Sequence, residues 1–151
     1  SSLVARKLMD NRCHLIASPQ YLATHPALKT PEDLRDHECL ILDCHASFKD
    51  FWPLYDDQGD RHAVKVHGRL HTDHSEVLLQ WAVDGMGIAL KSAWDIQPYL
   101  DDGRLVEVLP NYRPPDLDFY LVYPERKCLP AKTRVFMDFL FEKVPAGKGE
   151  H

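Results

Sequence analysis

The chain has 151 residues, 44% of them hydrophobic and 27% charged, a globular composition long enough for one ordinary domain or two small lobes. No run approaches the roughly 18 apolar residues that a membrane-spanning helix needs. The net charge is −5, from 18 basic and 23 acidic residues, with no cluster of five basic residues, so the basic footprint of a nucleic-acid-binding surface is missing.

The N-terminus, SSLVARKLMD, has no initiating Met and no signal-peptide core. It is read as cut from something longer, and the expected location is cytoplasmic. Cys13, Cys39, Cys44 and Cys128 show no CxxC spacing. Without a secretion signal they are expected as buried free thiols. Asn11–Ala17 is a candidate strand. Ser18-Pro19 then has the pattern of a helix cap followed by proline at the first position, opening PQYLATH. Thr30-Pro31 repeats the pattern, with Asp33 three residues on. Cys39–Leu42 is a candidate buried strand.

Phe48–Tyr55, with Pro53 inside it, fits an edge strand. Asp56–Asp60 fits a turn, and Arg61–Leu70 alternates as a strand, so the stretch predicts a hairpin. Next comes TDHSEVLLQWAVDGMGIAL. Asp73 is placed to cap a helix, with Glu76 at capping-box spacing. Val77, Leu78, Trp81 and Ala82 make its apolar face. Gly85 suits a left-handed stop, and Gly87 leads into Ile88-Ala89-Leu90. The loop from Thr72 to Ser75 thus joins the carboxyl end of a strand to the amino end of a helix. Ligands bind at such junctions in open α/β sheets, and the helix dipole favours an anion there.

Ser92 is expected to cap a further helix carrying Ile96 and Leu100 and ending at Gly103. Pro98 keeps that helix short or kinked. Leu105–Leu109 and Leu117–Tyr123 are candidate strands. Pro130 opens a last helix with an apolar stripe of Val135, Phe136, Phe139, Leu140 and Val144. Alternating strands and helices indicate an α/β fold.

Few groups suggest catalysis: there is no G-x-S-x-G elbow, P-loop or G-x-G-x-x-G. His67, His71 and His74 hint at zinc, but His67 and His71 lie about 13 Å apart on a regular strand, too far for one ion. His37, Cys39, Cys44 and His45 are split by CLIL. No metal ligand, catalytic residue or cofactor is assigned. Trp52, Trp81 and Trp94 are expected in a core or at an interface.

Six segments in order, SSLVARKL, ASPQYLATHPALKTPEDLRDHECLIL with Trp52 after it, GRLHTDHSEVLLQWAVDGMGIALKSAWDI, DDGRLVEVLP and YPERKCLPAKTRVFMDFL, resemble the effector-binding domain of LysR-type transcriptional regulators. The resemblance implies a type 2 periplasmic-binding-protein-like fold of two α/β lobes joined by two crossing strands, with a small effector in the cleft. It places residues 1–10 in a remnant of lobe one, 11–17 in the first crossover and 18–115 in lobe two. Residues 116–144 would return to lobe one, and 145–151 would be a disordered tail. Lobe one is incomplete, so disorder or an intermolecular contact is expected there. Carried onto this chain, the ligand positions are Ser18, Thr72 and Asp73, with His74 and Met86 beside them. The implied partners are a small, anionic or polar effector, a second copy in a dimer or tetramer, and DNA through a missing N-terminal winged helix-turn-helix, with no membrane. The alternatives are a stand-alone small-molecule-binding module of this fold and a His/Cys metal-dependent enzyme.

Overall fold

The computed structural model describes residues 2–43, 50–125, 127 and 129–144. In chain order it has β1 (Leu3–Met9), β2 (Cys13–Ala17), α1 (Pro19–Ala23), a 3-10 helix (Pro31–Asp36), β3 (Ile41–Leu42), β4 (Phe51–Tyr55), β5 (Arg61–Lys65) and β6 (His71–Thr72). Then follow α2 (Ser75–Val83), β7 (Ala89–Ser92), α3 (Ala93–Asp101), β8 (Val106–Glu107), β9 (Phe119–Pro124) and α4 (Ala131–Lys143). The chain divides into two compact units, one of Arg12–Pro115 and one of Ser1–Asn11 with Asp116–His151.

The larger unit is built on a sheet. β2 runs antiparallel to β7, with Cys13 opposite Ser92 and Ile16 opposite Ala89, and antiparallel to β8 on its other side. A parallel bridge between Cys39 and Ile88 joins β7 to the strand leading into β3, and β3 pairs in parallel with β6. The strand order is therefore β6-β3-β7-β2-β8, with β2 reversed. One hydrophobic cluster gathers Leu15, Tyr21, Leu34, Cys39, Trp52, Leu54, Val64 and Ile88, and a second gathers Ile16, Leu40, Leu78, Ala82, Ala89, Ile96 and Leu105. Both lie wholly within this unit. The alternation along β2 sends Leu15 to the first cluster and Ile16 to the second, so the sheet carries a core on each face.

Sequence signals place most of these elements. Ser18 accepts the Tyr21 amide at 3.1 Å, and Asp33 accepts the Thr30 amide at 2.9 Å. β4 and β5 form the expected hairpin, closed by Asp56, whose carboxylate accepts the Gln58 and Asp60 amides. The long strand expected over Arg61–Leu70 is interrupted. β5 ends at Lys65, and the chain returns to the sheet only at His71. Gly68 makes that crossing possible, because a Cβ there would lie 2.0 Å from the Cys39 carbonyl oxygen. α3 is nine residues long and contains Pro98, the short helix its proline requires.

In the smaller unit β1 pairs antiparallel with β9, Leu3 opposite Pro124 and Lys7 opposite Tyr120. The Asn11 amide donates to Asp118 at 2.8 Å, and Arg6 stacks over the Phe141 ring at 3.8 Å. α4 turns a different side inward from the expected stripe: Met137 is buried, while Val135, Phe136 and Phe139 are exposed. Segments 44–49 and 145–151, with Cys44, His45 and the expected tail, lie outside the described residues.

Candidate functional site

The strands β3, β6 and β7 are parallel, so their carboxyl ends share one edge of the sheet. Thr72 ends β6 there, and α2 begins three residues later. Thr72 Oγ1 accepts the His74 amide at 3.1 Å, which turns the chain into the helix. The helix cap falls on His74, not on Asp73, and no side chain caps the first turn. Asp73 is exposed and pairs with the neighbouring His74 ring at 3.4 Å. The Asp73-to-Glu76 capping box expected from spacing is therefore not formed. Thr72 takes the local hydrogen bond instead, and among the described residues no side chain caps the start of α2 at this exposed loop.

The same edge carries the amino end of α3. Ser92 leaves β7, its hydroxyl donates to Asp95 at 3.3 Å, and the Ala93 amide donates to the Arg12 carbonyl at 2.7 Å. Lys91, the last inward-facing residue of β7, is buried. Its ammonium donates to the Ser75 hydroxyl, to the Ser75 carbonyl at 3.3 Å, and meets Asp95 at 3.3 Å. Two helix starts and a buried cation thus surround the loop that contains Thr72, Asp73 and His74.

Ser18 and Met86 are elsewhere. β2 is antiparallel to β7, so Ser18, beyond Ala17, lies at the amino edge of the parallel strands. By register it stands about 13 Å along the strand direction from the level of Thr72. It is fully buried, capping α1, with Gly85 packed so closely that a Cβ there would sit 3.3 Å from its hydroxyl. Gly85 stops α2 at φ +82, and exposed Met86 follows on that same amino edge. The five candidate residues therefore fall into two groups, Thr72, Asp73 and His74 against Ser18 and Met86. The buried Lys91 was missed, because a lysine inside an apolar strand carries no motif. Its position two residues after Ala89, on the same face of β7, was the available signal.

The histidines serve local structure. His67 Nε2 lies 3.0 Å from the Arg35 carbonyl and His71 Nε2 3.2 Å from the Gly68 carbonyl. His62 bonds Asp56 at 2.7 Å, which, ahead of the backbone amides, holds that carboxyl below its ordinary range. No group of three His, Cys, Asp or Glu suited to a metal ion occurs among the described residues. His37 is buried. Tyr21 Oη accepts the Glu38 amide at 3.1 Å and donates to His37 Nδ1 at 2.8 Å. Burial, and then the neighbouring His25, push the His37 pKa down. Burial likewise pushes the Cys39 thiol up to about 12, so it is no nucleophile.

A family model for the LysR substrate binding domain matches residues 1–145. The chain belongs to the LysR substrate-binding domain family. Its members are the effector-sensing parts of LysR-type transcriptional regulators, and its fold is α/β of the type 2 periplasmic-binding-protein kind. Among relatives, the HTH-type transcriptional regulator DmlR of Escherichia coli K12 is 40% identical over 139 residues, 92% of this chain and 45% of that protein. The HTH-type transcriptional activator TtdR of the same strain is 36% identical over 137 residues, 91% of this chain and 44% of that protein. Among solved structures, the full-length virulence activator AphB of Vibrio cholerae superposes with a TM-score of 0.84 at 32% identity, covering 96% of this chain and 49% of that one. CrgA of Neisseria meningitidis gives 0.76 at 32% identity, covering 95% and 48%. The chain spans about half the length of these relatives.

Proposed function

We propose that this LysR substrate-binding domain senses a small polar or anionic metabolite at the loop Thr72–His74. In this reading the unit Arg12–Pro115 is the second lobe and the other unit is part of the first. The observation that carries the site is the start of α2: a helix N-terminus at the carboxyl edge of a parallel sheet, on an exposed loop, with no side-chain cap among the described residues. Ligand occupancy shifts the protein's conformational population, and in the longer regulator that shift controls an N-terminal winged helix-turn-helix on DNA. The regulator is cytoplasmic, works as a homo-oligomer and catalyses nothing.

The negative net charge fits this division of labour, since the sensing part leaves DNA contact to another domain. The Asp73 carboxylate, exposed beside the loop, disfavours a second negative charge close to it, whereas the α2 amides and Lys91 favour a compact carboxylate. The test is a thermal-shift screen of small mono- and dicarboxylates at constant ionic strength. A stabilising compound whose effect falls at least about fivefold in affinity in Thr72→Val supports the reading. Stabilisation untouched by changes at Thr72 and His74 would contradict it.

A further inference from the structure

β7 presents Ala89 and Lys91 to the side where Leu78 and Ala82 of α2 and Ile96 of α3 pack. Lys91 is the single lysine or arginine buried among the described residues, its side chain 3% exposed. A buried ammonium is costly unless its donors are all taken. Here three acceptors meet it: the Ser75 hydroxyl, the Ser75 carbonyl and the Asp95 carboxylate. Ser75 is the first residue of α2, directly after the effector loop, and Asp95 stands in the first turn of α3, where it also holds Ser92. One cation therefore ties together the starts of two helices that leave the same sheet edge.

We propose that Lys91 is the positioning residue of the effector loop, and that through Asp95 it couples the setting of that loop to α3. The inference rests on the site reading above. The partners are linked because the ammonium cannot lose one acceptor without placing more demand on the other two. A ligand that draws on the first turn of α2 alters Ser75, and the change is felt at Asp95. Lys91 itself need not touch the ligand.

The experiment uses the 151-residue chain and compares wild type with Asp95→Asn, Lys91→Met and Lys91→Arg. Asp95 is 43% exposed and asparagine keeps an acceptor oxygen for the ammonium, so Asp95→Asn is the milder change and keeps the fold even if Lys91→Met does not. Amide exchange is read at Leu78, Leu79 and Gln80, whose hydrogen bonds close the first turns of α2, against Asp84 at its far end. The expected result is exchange about fivefold faster at the first three in Asp95→Asn, although the substitution is on α3, with Asp84 unchanged. Inorganic sulfate is then titrated and followed at the amides of Ser75, Glu76 and Val77. Its affinity is expected to fall at least about threefold in Lys91→Met at matched folded fraction, and to recover in Lys91→Arg. Unchanged exchange at Leu78–Gln80, or a rise spread evenly over the unit, would overturn the clamp. Faster local exchange in variants of a chain whose Ser75–Val77 amides ignore sulfate would keep the clamp, overturn its role in anion sensing, and count against the site reading.

Discussion

His37 sits where a charge is hardest to accommodate. It is buried, its Nδ1 accepts the Tyr21 hydroxyl, and its Nε2 has no hydrogen-bond partner of good geometry. Burial and the nearby His25 favour the neutral ring, and Asp33 and Asp36 only partly offset them. The folded pKa lies below the unfolded value of about 6.5. The unfolded chain therefore binds the proton first as pH falls. The contribution of the neutral ring is complete above about pH 6.5 and is lost as pH falls through the window below it. Denaturant midpoints measured between neutral pH and mild acid should decline in wild type and decline less in His37→Gln. Equal slopes would mean that His37 does not set the acid response. At the same scale, Ser18 and Asp73 separate two look-alike caps. Ser18→Ala should cost about 1 kcal/mol because it removes a formed cap. Asp73→Ala should stay within about 0.5 kcal/mol, because that side chain caps nothing.

At the scale of elements, α2 and the strand before it mark what the chain's pattern could convey. The glycine stop at Gly85, the burial of Leu78 and Ala82 and the entry into β7 are local properties, and spacing carried them. The cap was misplaced by one residue because Thr72 competes for the turn, a choice that depends on how β6 meets β3. The break in the Arg61–Leu70 strand is a tertiary event: Gly68 lies against the Cys39 backbone, 29 positions away in the sequence. The family resemblance carries Ser18 and Thr72 over together as ligand positions. Only the antiparallel pairing of β2 with β7 sends them to opposite edges. Gly59 and Gly68 test how tight the crossing is. Gly59 has positive φ with nothing near a Cβ, so Gly59→Ala should cost about 1–2 kcal/mol of backbone strain. Gly68→Ala places a Cβ against backbone, and thermal unfolding should show a larger loss than for Gly59→Ala, about 3 kcal/mol or more. Equal losses would show that the crossing is not tight.

On the scale of the whole molecule, both hydrophobic clusters belong to Arg12–Pro115, and the smaller unit leaves Val135, Phe136 and Phe139 of α4 exposed. Arg12–Pro115 produced alone should fold cooperatively, with a denaturant midpoint close to that of the whole chain. A non-cooperative transition would show that its core depends on the other unit. The effector site is a claim of the same scale, since it asks which edge of a continuous sheet receives the ligand. The loop Thr72–Ser75, Lys91 and the start of α3 argue for the carboxyl edge, and Ser18 and Met86 mark the amino edge. The most direct measurement is a backbone-amide NMR titration of the chain with the best carboxylate from the thermal-shift screen. Saturable shifts are expected at Thr72–Val77 and Ser92–Ile96, with Ser18, Tyr21 and Met86 unmoved. Shifts centred on Ser18–Ala23 and Gly85–Gly87, with the Thr72 loop silent, would contradict it.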